Sequence, residues 1–293
     1  MLSGVLPPIP TPFDERGQVD LDGLRANLGR WNETRLAGYV ALGSNGEAAL
    51  LDTEESVAVI RAVREAMAPG MILIAGAGRE TTRATQMACQ AAAAAGATAV
   101  LVVTPWYYKG AMTGDVLRQH FEAVADDSPV PVLLYNVPAN TGVNLPVATV
   151  AELARHPNIV GIKDSAGDIG QLWGLIHSTP DDFVVICGNT GAFLPGLLLG
   201  AKGGVLALAN VAPRETVALY EAAQAGRLDE ARELNDRLVP VGVAVTRSYG
   251  IAGLKTALDM LGYAGGKPRP PLRPPSVEGM ADIQRILEKA GLI

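Results

Sequence analysis

The feature of this chain that most restricts its fold is a rhythm. Short runs rich in Val, Ile and Leu return eight times: GVLPPI (4–9), GYVALG (38–43), MILIAGAG (71–78), TAVLVVTP (98–105), PVLLYNV (131–137), IVGIKDS (159–165), DFVVICGN (182–189) and GGVLALAN (203–210). Runs this apolar, with little alternation, read as strands buried on both faces, as in a parallel sheet covered by helices. Stretches of helical composition lie between them. DTEESVAVIRAVREAMAPG (52–70) opens with Asp52 and Glu55 at capping-box spacing and stops at Pro69-Gly70. TTRATQMACQAAAAAG (81–96) ends on Gly96, a candidate C-cap.

Eight such units are the number that closes a (β/α)8 TIM barrel, with an open doubly wound sheet as the competing arrangement. After the eighth run the pattern changes to helix upon helix, with a Pro-rich crossing, GGKPRPPLRPPS (265–276), before the last helix. The expected organisation is a catalytic α/β barrel over 1–213 and a C-terminal helical extension over 214–293. At 48% hydrophobic over 293 residues, the chain can bury a core of that size. Its net charge of −6 carries no basic block, so a nucleic-acid partner is not expected. The apolar runs are too short to span a bilayer, and the N-terminus does not read as a signal peptide. Cys89 and Cys187 look like buried thiols of a reduced, cytoplasmic protein.

A barrel sharpens one detail. Active sites of barrel enzymes sit at the C-terminal ends of the strands. Lys163 stands near that end of the sixth run, on the same face as Gly161, which leaves room one layer below. Lysine is seldom buried without a partner or a use, although a strand-end lysine can also snorkel to solvent. Of the six lysines, this is the one inside a strand-like run. Lysine amines held away from water are partly neutral near pH 7. They attack carbonyls to form Schiff bases that act as electron sinks.

Other strand ends add to this. Tyr135, in LLYNVPANTG, ends the neighbouring fifth run and is either a proton carrier or a packing residue. GSNGE (43–47) ends the second run and is either an ordinary turn or a nest of N–H groups for a carboxylate. TPWYYKG (104–110) sets three aromatics above the mouth, as a lid, a subunit contact or loop packing. ICGNTG (186–191) reads as a structural turn rather than a phosphate loop. His120, His156 and His177 fall in helical or loop positions without ligand spacing, so no metal is expected.

In order and spacing, GSNGE, TPWYYKG, LLYNVPANTG, IVGIKDS, ICGN and ALANVAP resemble the dihydrodipicolinate synthase and N-acetylneuraminate lyase family over almost the whole chain. These are pyruvate-dependent class I aldolases and lyases on a (β/α)8 barrel with a C-terminal helical extension. The resemblance implies that Lys163 forms a covalent imine with pyruvate and that no other cofactor is needed. It implies that Ser44 and Asn45 hold the pyruvyl carboxylate through backbone amides and that Tyr135 transfers protons. The Ser44 hydroxyl and Tyr107, taken from an adjacent subunit, would complete the relay in a homo-oligomer, a dimer of dimers. Gly188 and Val205 match positions lining the pyruvate pocket.

Two departures bear on the substrate. Synthases of lysine biosynthesis usually carry an arginine after the NVP segment, where this chain has Asn140, and a threonine where it has Asn45. VTPWYYKG, VPANTG, HPNIVGIKDS and AVTRSYGIAGLK (244–255) look most like 4-hydroxy-2-oxoglutarate aldolase, in which the match to Ser165 touches the distal part of the substrate. The leading expectation is therefore cleavage of 4-hydroxy-2-oxoglutarate to pyruvate and glyoxylate. The alternatives are a synthase condensing pyruvate with aspartate semialdehyde, a 2-keto-3-deoxy sugar acid aldolase or dehydratase, and a catalytically silent barrel acting as a binding protein. Lys109 is a candidate donor in place of the missing arginine.

Overall fold

The computed structural model describes residues 2–293. Its strands are β1 (Gly4–Leu6), β2 (Gly38–Ala41), β3 (Ile72–Gly76), β4 (Ala99–Val103), β5 (Val132–Asn136), β6 (Ile159–Asp164), β7 (Val184–Cys187) and β8 (Gly203–Val205). Each falls within one of the eight apolar runs. All ladders are parallel, in the order β1-β8-β7-β6-β5-β4-β3-β2.

The seam between β1 and β2 closes the ring. Prolines at positions 7 and 8 have no N–H to give, so regular pairing cannot run through them. Instead Pro8 bridges Val40, with Ile9 N donating to Val40 O at 2.9 Å and Val40 N donating to Pro7 O at 3.0 Å. The chain is a (β/α)8 barrel, not an open sheet.

Strand alternation divides the apolar residues into two cores. Leu6, Val40, Ile74, Leu101, Leu133, Ile186 and Val205 fill the barrel interior. Ala75, Val100, Val102, Val132, Leu134 and Ile162 face the helices. Both faces are dry, which is why the sequence runs lack a polar phase. The helix Thr53–Ala66 begins with the expected capping box: Glu55 N donates to Asp52 at 2.8 Å, and Asp52 N donates to Glu55 at 3.0 Å. Such a cap contributes about 1 kcal/mol.

Pro213–Gln224 packs against β1 and Phe193–Leu199, which gives the ring its eighth helix. We therefore place the start of the extension after Gln224 rather than at 214. Leu228–Val243, Gly250–Met260 and Val277–Lys289 make up its helices. Among the described residues no helix is long and apolar enough to cross a membrane.

Candidate active site

The register of β5 on β6 sets Tyr135 beside Lys163 and Leu133 beside Gly161. Lys163 is 4% exposed, and its Nζ lies 4.2 Å from the centroid of the Tyr135 ring. No carboxylate stands within ion-pair distance of this ammonium among the described residues; the aromatic face is its neighbour. Burial pushes the Tyr135 phenol up. The Lys163 charge and the nearby polar groups of Ser44, Lys163 and Ser165 outweigh it, holding the phenol below the usual tyrosine range. The phenol oxygen is 3.3 Å from Ser44 Oγ. An amine and a phenol thus stand at the C-terminal ends of the adjacent strands β6 and β5, and the hydroxyl that follows β2 reaches the phenol across the barrel mouth.

Ser44 opens a single 3-10 turn, Ser44–Gly46, whose first internal bond runs from Gly46 N to Gly43 O. The N–H groups of Ser44 and Asn45 precede that bond and have no partner within the turn. Across the lumen, Ser165 Oγ is buried without a hydrogen-bond partner among the described residues, and it sits near enough to Tyr135 to help lower that phenol's pKa. Gly188 explains how Ser165 and Lys163 fit together. A Cβ at Gly188 would overlap Ser165 Oγ and come within 3.0 Å of Lys163 Cε. Val205, on β8, belongs to the barrel-interior core below.

A cavity of about 600 Å³ opens over this end of the barrel. Ser44, Tyr135, Val103 and Asn140 border it. Lys163 is not among the bordering residues, but its Nζ lies against the Tyr135 ring, so Tyr135 is in touch with both cavity and amine. Asn140 is exposed at the mouth, in the short helix Pro138–Thr141. A Cβ built on Gly142 would lie 3.6 Å from Lys109 Nζ, which puts that ammonium over the same turn.

Tyr107 is not part of this cluster in its own chain. It is 74% exposed, with its ring edge-on to Tyr108 at 5.0 Å. Glu80 accepts from the backbone N–H of Trp106 and Tyr107 and so ties the aromatic loop to the cavity rim, which Glu80 and Trp106 border.

Two features of the site were not read from the sequence. Behind Lys163, Asp164 is buried and accepts from Asn136 Nδ2 at 2.7 Å and Gln171 Nε2 at 3.0 Å. Burial raises its carboxyl above the usual range. The signal was present as polar residues, Asn136 and Asp164, in register at the ends of two apolar runs. The second feature is the cavity wall supplied by Pro271 and Leu272, from the Pro-rich crossing. The histidines stand apart from the site: His120 bonds Thr82, His156 pairs with Asp126, and His177 stacks on Trp173.

The family model described as "Dihydrodipicolinate synthetase family" matches residues 1–290. The 4-hydroxy-tetrahydrodipicolinate synthase of Archaeoglobus fulgidus is 39% identical, with 100% of each chain covered. A chloride-inhibited dihydrodipicolinate synthase from Acinetobacter baumannii, solved in complex with pyruvate, superposes with a TM-score of 0.95 at 32% identity, covering 100% of each chain. A structure described as the first monomeric dihydrodipicolinate synthase variant has a TM-score of 0.95 at 30% identity, covering 100% of this chain and 98% of that one.

Proposed function

The chain belongs to the dihydrodipicolinate synthetase family, and on that premise we propose that Lys163 carries pyruvate as an imine, with Tyr135 as its proton carrier. The enzyme is a pyruvate-dependent class I aldolase. The observation that carries the residue assignment is the stacking of Lys163 Nζ on Tyr135 while the phenol meets Ser44 Oγ. In this reading Lys163 Nζ attacks C2 of pyruvate, and water leaves as the imine forms. Loss of a proton from C3 gives an enamine, whose C3 attacks an aldehyde. Tyr135 moves the protons, and the imine itself is the electron sink, so no further cofactor is needed. The free N–H groups of Ser44 and Asn45 suit the carboxylate of pyruvate. The free, buried thiols Cys89 and Cys187 suit the reducing cytoplasm.

For the aldehyde, the names of the relatives support condensation with aspartate semialdehyde better than the cleavage expected from the motifs. One observation favours the second reading, release of glyoxylate from 4-hydroxy-2-oxoglutarate: position 140, at the cavity mouth, is an asparagine and not an arginine, although Arg79 also borders the cavity. Replacing a charge-assisted bond of about 1.5–3 kcal/mol by a neutral one near 1 kcal/mol costs about tenfold in efficiency. The test is kcat/KM for both reactions under matched conditions. Faster condensation establishes the synthase reading, and faster cleavage the second. In either case Asn140→Arg is expected to raise condensation about tenfold; no gain would remove position 140 from aldehyde selection.

Tyr107 enters this scheme from a neighbour. Tyr107 and Tyr108 are 74% and 72% exposed, and exposed tyrosines of this kind suit an interface between copies. Sedimentation at assay concentrations is expected to show an oligomer, and Tyr107→Phe to lower turnover. A fully active monomer would rule the shared relay out.

A further inference from the structure

A second buried lysine lies outside this chemistry. Lys255, on Gly250–Met260, is fully buried, and its Nζ is 2.6 Å from Glu47 Oε1, itself buried. The ammonium also donates to Lys267 O at 3.1 Å and lies 4.2 Å from the centroid of the Phe13 ring. Glu47 Oε2 accepts from Arg269 N at 2.8 Å. One carboxylate therefore holds both a helix of the extension and the Pro-rich crossing.

Glu47 is also the last residue of GSNGE. Its φ of 53° is left-handed, a conformation disfavoured for a residue with a Cβ and kept where surrounding contacts impose it. From there its N–H donates to Ser44 O at 3.2 Å, closing the turn, while Thr11 Oγ1 donates to Gly46 O at 2.8 Å. Farther out, the Arg269 guanidinium bonds Gly17 O, Leu50 O and both oxygens of Glu55. Pro271 and Leu272, just beyond it, form cavity wall.

We infer that Glu47 and Lys255 are positioning residues for pyruvate: their ion pair fixes the 43–47 turn, and through it the N–H groups that meet the pyruvyl carboxylate. The inference rests on the reading of Ser44 and Asn45 given above. It gives the C-terminal extension a part in substrate affinity. Buried ion pairs add little net stability, because desolvation offsets their attraction, yet leaving one partner alone is costly. A structural role and a positioning role therefore separate when both charges are removed together.

The experiment measures the initial rate of borohydride trapping against pyruvate concentration, with melting temperature alongside, for Lys255→Met, Glu47→Gln and the double variant. Each single variant is expected to raise half-saturating pyruvate at least about tenfold, the effect of 1.4 kcal/mol in binding, with the maximal trapping rate largely kept. The double variant is expected to melt nearer the wild type than Lys255→Met does, because no charge is left unpaired, while half-saturation stays raised. Half-saturation that is unchanged in a folded variant, or that recovers in step with melting temperature, overturns the inference. Should the single variants fail to fold, the double variant decides. Absence of trapping in the wild type would instead overturn the imine reading itself.

Discussion

Lys163→Ala is expected to fold and to lose essentially all turnover, by roughly 10⁴–10⁶-fold, the scale on which removing a covalent nucleophile acts in other enzymes. The side chain is 4% exposed and lacks an ion-pair partner, so its removal strands no buried carboxylate. The truncation leaves space beside Tyr135 and Gly188, at the polar end of the lumen rather than deep in the apolar core. Far-ultraviolet circular dichroism should therefore stay native, with a lower but still cooperative melting transition. Borohydride with pyruvate should add mass to the wild type and none to the variant. Lys255 provides an internal control. It is as deeply buried, but its amine is engaged by Glu47 and the Lys267 carbonyl, and it should stay unlabelled. A labelled peptide lacking Lys163 would refute the mechanism.

Much of this frame was legible because barrel strands are buried on both faces. Each run such as TAVLVVTP could be only a parallel strand or a buried helix segment, and eight in succession leave few arrangements. Lys163 was legible for the same reason, as a charged letter beside Asp164 at the end of a run that is otherwise apolar. What stayed hidden depends on contacts between distant segments. Lys255 reads as an ordinary lysine near the middle of a helix until folding brings Glu47 within 2.6 Å of it. The crossing GGKPRPPLRPPS reads as a linker, and its role as cavity wall follows from Arg269 reaching Glu55 and Gly17. Gly188 was named only through the family resemblance; its steric reason stayed hidden, since the side chains that need its missing Cβ, Lys163 and Ser165, come from the adjacent strand and its end. On our placement of the extension, the eighth ring helix straddles position 214, because Pro213 opens it without a strand-like run to follow.

Tyr135→Phe separates proton transfer from everything else this residue does. The ring is what Lys163 packs against, and phenylalanine keeps it. The oxygen is what Ser44 meets at 3.3 Å, and phenylalanine removes it. Stability should change little, because the lost bond is long and Ser44 is exposed to water. Turnover is expected to fall about 10²–10⁴-fold, the usual contribution of a positioned acid–base group and equivalent to roughly 3–5 kcal/mol of transition-state stabilisation. Imine formation should persist, slowly, since water can carry the same protons with poorer positioning. The variant should therefore trap pyruvate to the wild-type mass with a much longer half-time. Ser44→Ala keeps the phenol but removes its hydroxyl partner, so it should fall between the wild type and Tyr135→Phe. Wild-type turnover in Tyr135→Phe would take the phenol out of the mechanism. Loss of folding would make the residue a packing tyrosine, the bland reading that its place at a strand end had left open.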